Sequence, residues 1–166
     1  MKLIDDFRAK RRLYSTNGQA CSLLRAVLTD GTLAMVLYRA MRLAYRWRLV
    51  PLAILLQWMN KLLNQCLIGL KAEFDGGFVL IHPVGVIINS AVRGGRNVWI
   101  ESGVVIGDNR GASPVLGSDV FVGSGAKVIG GVRIGDRTLI GANAVVTHDV
   151  PDDHRAFGIP ARTRLG

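Results

Sequence analysis

A period of six residues governs the second half of the chain. Large aliphatic residues recur at every sixth position, and glycine directly follows most of them. After residue 115 this aliphatic series is Leu116, Val122, Val128, Ile134, Ile140 and Val146. Such a period predicts a parallel β-helix in which each hexad forms one short strand and one corner, with the aliphatic side chain inside. Three hexads close one triangular coil, so the sequence from Phe74 onward predicts about four or five coils.

Two interruptions break this period. The spacing is eight residues between Leu80 and Ile88, and ten residues between Ile106 and Leu116. The first break contains His82, and the second extrudes a loop over residues 108–114. Residues released from the repeat do not all serve the core, so we expect the chemistry of the protein at these breaks.

The first part of the chain has a different pattern. From Asp5 to about Gly69 the apolar residues follow helical spacing, with breaks near residues 15–18, at 30–31 and before Pro51. We therefore divide the chain into a helical region, residues 1–70, and a β-helix domain, residues 71–166. The longest apolar stretch of the helical region is too short to cross a bilayer.

The positive charge lies in the helical region. Of the net charge of +9, residues 1–70 carry +8, from eleven Lys or Arg against three Asp, and residues 71–166 carry +1. Arginines alternate with apolar side chains over residues 37–48. This pattern is typical of a helix on an anionic membrane surface or of a helical contact between subunits, and it does not distinguish the two. We expect no nucleic-acid partner because no binding module accompanies the charge.

Several motifs resemble those of serine acetyltransferases and of related hexapeptide acetyltransferases that modify sugars. Residues 82–88 (HPVGVII) are similar to the catalytic H-x-x-G-I-V-I segment, and residues 123–128 (GSGAKV) to a G-A-G-A-K-I turn. Residues 141–151 and 158–162 (GIPAR) resemble the terminal coil and the closing G-x-P-A-R motif, and residues 31–39 the helical region of serine acetyltransferases.

The resemblance implies a left-handed β-helix and a reaction with acetyl-CoA. His82 would be the general base that deprotonates an acceptor hydroxyl, because a free imidazole is available near neutral pH. A backbone N–H at Gly107 or Asp108 would stabilise the oxyanion. The family also implies a homotrimer with active sites between subunits. By position, the residues expected to bind CoA are Ser124, Gly125, Ala142, Thr147 and Arg162.

The acceptor is less well defined. Serine acetyltransferases hold their amino-acid substrate with charged groups, but this chain has Ile81 and Ala112 at two matched positions and Thr16 near a third, and Leu67 replaces the acid that orients the imidazole in that family. Unpaired charges are costly to bury, so we favour a neutral sugar hydroxyl of a glycan precursor. L-serine is the alternative acceptor, and a non-catalytic β-helix scaffold is a third hypothesis. The candidate acceptor-binding residues are Glu101, Arg110 and Ser113.

Two further expectations concern metals and location. Cys21 and Cys66 lack metal-ligand spacing, and we interpret both as buried packing groups. The His and Asp residues at 148–154 match an exposed turn, so we expect no metal cofactor. Nothing resembles a secretory signal, which predicts a cytoplasmic protein, with peripheral contact at the inner face of the membrane if the basic helices bind lipid.

Overall fold

The computed structural model describes residues 2–15 and 28–166. In this part of the chain, three α-helices precede a β-helix: α1 (Lys2–Tyr14), α2 (Thr32–Arg46) and α3 (Val50–Asn64). The predicted breaks at residues 30–31 and before Pro51 are confirmed, since α2 begins at Thr32 and Pro51 lies in the first turn of α3. Thr16 and Cys21 lie outside the described residues. Among those residues, no helix is long and apolar enough to cross a membrane.

The strands form the three flat sides of a prism. Sheet A contains β1 (Leu67–Ile68), β4 (Ile87–Ile88), β7 (Val105–Gly107), β10 (Lys127–Ile129) and β13 (Val145–Val146). Sheet B contains β2 (Glu73–Phe74), β5 (Arg93–Gly94), β8 (Val115–Leu116) and β11 (Arg133–Ile134). Sheet C contains β3 (Val79–Leu80), β6 (Trp99–Ile100), β9 (Phe121–Val122), β12 (Leu139–Ile140), β14 (His154–Phe157) and β15 (Arg162–Leu165).

The strand register confirms the β-helix predicted from the period of six. Every pair is parallel except β14 with β15, and the aliphatic residues of each hexad point inward and stack from coil to coil. In sheet A the stacked and buried residues are Ile68, Ile88, Ile106, Val128 and Val146. The first strand, β1, lies at residues 67–68, so parallel pairing begins ahead of residue 71. The two interruptions of the period become insertions at corners, and the ladder continues past them.

A glycine takes an inward-facing position where a large ring fills the interior. Gly94 pairs with Phe74 in sheet B, and a Cβ at Gly94 would collide with the Phe74 ring. The Phe74 ring is fully buried and stacks on Phe78 at 4.3 Å between centroids. Tyr38 of α2 packs 5.2 Å from Phe78, so aromatic side chains fill the first coil and join it to the helices.

Buried polar contacts fix the helices on this first coil. Asp6 of α1 is fully buried, and its Oδ1 accepts hydrogen bonds from the backbone N–H of Gly77 (2.8 Å) and Phe78 (2.9 Å). Arg39 of α2 donates from Nε to the same carboxylate at 2.7 Å and from a terminal nitrogen to the Phe74 carbonyl at 2.8 Å. Helices α1 and α2 and the first coil therefore meet at one charge pair.

The corners stack as regularly as the strands. The corner that joins sheet C to sheet A, the C–A corner, has one residue with positive φ in every coil: Gln65, Gly85, Gly103, Gly125 and Asn143. The last four donate their backbone N–H to the preceding coil, as Gly103 does to Val84 at 2.9 Å and Gly125 to Ser102 at 2.8 Å, whereas Gln65 donates to Asn60 of α3. The corner that joins sheet A to sheet B, the A–B corner, carries the loop over residues 108–114.

Candidate active site

His82 lies on the C–A corner, in the segment that links β3 to β4. The two residues added to this hexad push the chain outward, so the imidazole leaves the interior and is 52% exposed. Pro83 beside it is buried, and Gly85 turns the backbone with φ of +75°. A Cβ on Gly85 would lie 3.3 Å from the Gly103 Cα, so this turn fits closely on the next coil.

An acid that the sequence analysis did not identify faces the imidazole. Asp30, in the turn before α2, places its Oδ2 atom 3.3 Å from the Nδ1 atom of His82. Leu67 stands at the position of the family's orienting acid, so the sequence alone left this role without a residue. A hydrogen on Nδ1 that is donated to Asp30 leaves the lone pair on Nε2. This tautomer is suited to accept a proton from a bound hydroxyl.

The turn that carries Asp30 is held by a buried lysine. Lys10 of α1 is fully buried, and its Nζ donates to the Thr29 carbonyl at 3.2 Å and to the Thr32 hydroxyl at 2.7 Å. It also donates to the backbone carbonyl of Asp30. Burial lowers the pKa of Lys10 to about 8, and the Asp30 charge partly opposes this shift. Three segments that are distant in sequence thus meet at this site: α1, the turn before α2 and the segment that carries His82.

A cleft of about 390 Å³ opens beside this pair. Its walls come from the turn before α2, the last turn of α3 and the His82 segment, and they include Leu33, Leu63, Asn64 and Val84. Polar and apolar groups both line the cleft. This composition suits a small polar acceptor whose hydroxyl reaches His82.

Four of the predicted site residues share the C–A corner with His82. Glu101 lies in the next coil, at the level matched to Ile81, and is partly exposed. Ser124 and Ala142 are exposed at successive levels of the corner, and a Cβ on Gly125 would collide with the Asn143 side chain. Because coils are separated by about 4.8 Å, Ala142 lies about 14 Å along the corner from Val84. The small side chains leave an open track in that direction.

Within one chain, the other predicted site residues lie away from the C–A corner that carries His82. Gly107, Asp108, Arg110 and Ser113 belong to the A–B corner, where the Asp108 carboxylate accepts a hydrogen bond from the Gly111 N–H at 3.1 Å. Thr147 follows β13 at the same corner. Sheet A therefore separates these groups from His82. Arg162 is exposed at the start of β15.

Lys127 is a further corner residue that received no role from the sequence. Its Nζ donates to the carbonyls of Gly103 (2.7 Å) and Gly125 (2.9 Å), so it fixes the backbone of the C–A corner one and two coils from His82. The match of residues 123–128 to a family motif contained this lysine but did not indicate what it contacts.

The remaining expectations concern thiols and metal ligands. Cys66 is buried as predicted, and burial raises the pKa of its thiol to about 12. In the turn at residues 148–154, the His154 Nδ1 lies 2.7 Å from the Asp152 carbonyl oxygen. Within residues 2–15 and 28–166, no three His, Cys, Asp or Glu side chains are grouped so that they could hold a metal ion.

Comparison with known proteins relates this architecture to a family. The model of the bacterial transferase hexapeptide (six repeats) matches residues 113–148. The chain is 36% identical over 136 residues to serine acetyltransferase from Synechococcus elongatus, covering 80% of this chain and 56% of that protein. It is 34% identical over 141 residues to serine acetyltransferase from Helicobacter pylori strain J99, covering 82% of each.

Solved structures agree over nearly the whole chain. Serine acetyltransferase from Brucella abortus superposes with a TM-score of 0.88 at 26% identity, covering 97% of this chain and 66% of that one. Soybean serine acetyltransferase complexed with serine gives 0.86 at 29% identity, covering 98% and 68%. A serine acetyltransferase complex with CoA gives 0.88 at 26% identity, covering 98% and 68%.

The fold is the left-handed β-helix of the hexapeptide-repeat acyltransferases. The chain belongs to the serine acetyltransferase family. It spans 56% of the length of the Synechococcus relative and 66% of that of the Brucella abortus structure.

Proposed function

We propose that the protein transfers the acetyl group of acetyl-CoA to the hydroxyl of L-serine, with His82 as general base. The observation that carries this proposal is the contact of His82 with Asp30 beside an open cleft. An exposed imidazole that is oriented by a carboxylate has the arrangement a general base requires. A complex with CoA and a complex with serine among the similar structures support the choice of substrates.

This choice revises the preference drawn from the sequence. A sugar acceptor was favoured because charged groups are missing at Leu67, Ile81 and Ala112. Asp30 supplies a carboxylate at His82 from a different part of the chain, so one premise of that argument was wrong. The most similar relatives described above are serine acetyltransferases, which also favours the serine alternative.

The reaction would proceed by direct transfer. The Nε2 atom of His82 takes the proton of the serine hydroxyl while the oxygen forms a bond to the thioester carbonyl carbon. The resulting oxyanion accepts a hydrogen bond from a backbone N–H, for which Asp108, the residue that follows β7, is the candidate. The intermediate then expels the CoA thiolate, which takes the proton from the imidazolium of His82. Asp30 stabilises the imidazolium between these two proton transfers.

A second copy of the chain would complete this site. The predicted residues at the A–B corner are separated from His82 within one chain, but the A–B corner of one subunit can face the C–A corner of another. A heterologous contact of this kind closes into a ring when the rotation between subunits allows it. We therefore propose the homotrimer that the family resemblance implies, with acetyl-CoA held between subunits by Ser124, Ala142 and the neighbour's Thr147. A cytoplasmic location stays a prediction.

One observation favours a second candidate, a neutral polyol as acceptor. Leu33, Leu63 and Val84 are exposed apolar residues that line the cleft. An ammonium or carboxylate group against these side chains would lose hydration without a partner. A sugar hydroxyl of a glycan precursor, bound with the help of Glu101, avoids this cost.

A comparison of acceptors tests both candidates. Release of CoA from acetyl-CoA is measured with a thiol reagent, using L-serine and a panel of sugars, for the wild type and for His82→Asn. We expect turnover with L-serine and a loss of about 100- to 10,000-fold in His82→Asn. The matched control, His154→Asn, changes a half-buried histidine of β14 on sheet C and should retain activity.

Each other outcome has a distinct meaning. Turnover with a sugar and none with serine selects the second candidate. Unchanged turnover in His82→Asn rejects the assignment of the base. If calorimetry detects no binding of acetyl-CoA, both candidate acetyltransferase activities are rejected and a non-catalytic β-helix scaffold is favoured.

A further inference from the structure

Helix α3 exposes an apolar surface that the described part of the chain does not cover. Of its residues, only Ala53 and Asn60 are buried, and both lie on the side toward α2 and β1. The opposite side carries a continuous apolar face because its members recur at helical spacing. This α3 face consists of Leu52, Ile54, Leu55, Trp58, Met59 and Leu62.

The exposure of this face is large for a water-soluble surface. Trp58 is 63% exposed and Leu62 is 74% exposed. Trp47, in the turn before α3, is also 69% exposed. Contiguous apolar patches of this kind mark a site that binds a membrane or another protein. Tryptophan favours the level of the lipid headgroups, since its ring is apolar and its N–H is polar.

The length of α3 determines how it can meet a bilayer. Its 15 residues span about 22 Å at a rise of 1.5 Å per residue, short of the roughly 30 Å hydrocarbon core. A helix of this length with one exposed apolar side lies along the membrane surface and does not cross it.

Cationic side chains border the α3 face. Arg46, Arg48 and Lys61 are exposed, and their side chains form no hydrogen bond or ion pair with the described residues. The sequence contains no Asp or Glu between Asp30 and Glu73. Each cation near an anionic lipid surface contributes about 1 kcal/mol of binding. Contact between two copies of this face would instead bring like charges together.

We propose that the α3 face binds the surface of an anionic membrane, with its apolar side chains in the headgroup region and the flanking cations on the lipid phosphates. The acetyl transfer is not needed for this binding, so the proposal stands apart from the choice of acceptor. The last turn of α3 also lines the cleft at His82, through Leu63 and Asn64. A bound membrane would therefore lie close to the entrance of the site.

Sedimentation with vesicles tests this proposal. The full chain is mixed with vesicles of phosphatidylcholine alone, or of phosphatidylcholine with phosphatidylglycerol at a ratio of about three to one, at low and high salt. We expect binding to the anionic vesicles only, reduced at least about tenfold by high salt or by Arg46→Glu with Arg48→Glu.

Two substitutions test whether vesicle binding depends on the α3 face or on exposed apolar residues in general. Trp58→Glu should abolish binding, whereas Ile159→Glu, at an apolar position between β14 and β15 that is at least as exposed, should leave it unchanged. Circular dichroism verifies that both variants are folded. Absence of binding by the folded wild type overturns the proposal, as does equal binding to neutral vesicles. A change of oligomeric state in Trp58→Glu, measured by light scattering without lipid, would assign the face to a subunit contact instead.

Discussion

The β-helix and the helical region are stabilised in different ways. In the β-helix each coil hydrogen-bonds to its neighbours through the backbone, and the same inward position is filled again in every coil. In the helical region a few particular side chains make the decisive contacts: Asp6 and Arg39 hold α1 and α2 on the first coil, and Lys10 joins α1 to the turn before α2. A repeated ladder tolerates change at one position because its neighbours supply the same contact. The junction of Asp6 and Arg39 occurs only once, so a substitution there is not compensated by a neighbouring contact of the same kind.

The site takes one component from each region. His82 belongs to a break in the ladder, and Asp30 belongs to the turn before α2. The ladder gives the histidine a fixed place, and the helices supply the acid that orients it. The comparison between the two regions therefore predicts that changes at the junction affect both stability and catalysis, while changes within the ladder affect mainly stability.

The junction pair should give the largest effect on stability. Arg39→Met leaves the buried Asp6 carboxylate with backbone donors only, so we expect a loss of about 3–5 kcal/mol in the free energy of unfolding. Urea denaturation followed by circular dichroism measures it. The control Arg46→Met changes an exposed arginine of the same helix and should stay within about 0.5 kcal/mol of the wild type. Similar losses in both variants would contradict a special role for the junction.

A crowded position inside the ladder should give a smaller effect. Gly94→Ala places a methyl group against the Phe74 ring, and we expect a loss of about 1–3 kcal/mol from overpacking. The same denaturation experiment measures the change. Adding Phe74→Leu removes the clash, so the double variant should lose less than the sum of the two single losses. Strict additivity would mean that the two positions do not compete for space.

The orienting acid should affect catalysis more than stability. Asp30→Asn removes the charge that faces His82, so we expect kcat to fall about tenfold, with KM for acetyl-CoA unchanged. Nitrogen-15 NMR of the His82 ring should show a larger fraction of the tautomer protonated on Nε2. Asp30→Glu should recover part of the activity. Asp119→Asn, at the corner between sheets B and C, is the matched control, and an equal fall there would contradict the role of Asp30.

Lys10 should give the smallest effect, visible as a dependence on pH. Its pKa is about 8 in the folded protein and 10.5 in the unfolded chain, so the unfolded state binds more protons between these values. Stability therefore rises with pH through this range. Between pH 7 and pH 9 the wild type should gain about 1 kcal/mol relative to Lys10→Met. Cys66 is present in both proteins, so the contribution of its thiol to the pH dependence of stability cancels. A difference in unfolding free energy that stays constant with pH would contradict the lowered pKa of Lys10.

The ladder could be predicted from the sequence because its contacts repeat. Once the period of six is found, the register places Ile88 of one coil against Ile106 of the next. Residues that are added to a hexad do not fit inside the β-helix and must lie outside it. The same reasoning placed His82 on an exposed break. The helical region offers no such rule, since the apolar spacing of α2 indicates which side is buried but not which coil it meets.

The contact of Asp30 with His82 illustrates this limit. The two residues are 52 positions apart, and only the docking of α1 and α2 on the first coil brings them together. The family pattern directed attention to Leu67, where no acid is present. The presence of a lone acid directly before a helix, in a stretch otherwise free of acids, was the one available signal. The placement of Arg110 and Thr147 at the A–B corner also could not be predicted without the order of the strands around the prism.

The aromatic base of the β-helix has a consequence for how the protein is made. Synthesis proceeds from the amino terminus, so α1, α2 and their contact residues leave the ribosome before the coils on which they pack. Phe74 and Phe78 can then cluster with Tyr38 as soon as the first coil emerges. Each later coil meets a neighbour that is already paired. We therefore expect the β-helix to form from the coil at the helices toward its carboxyl end, where the antiparallel β15 pairs with the outer edge of β14.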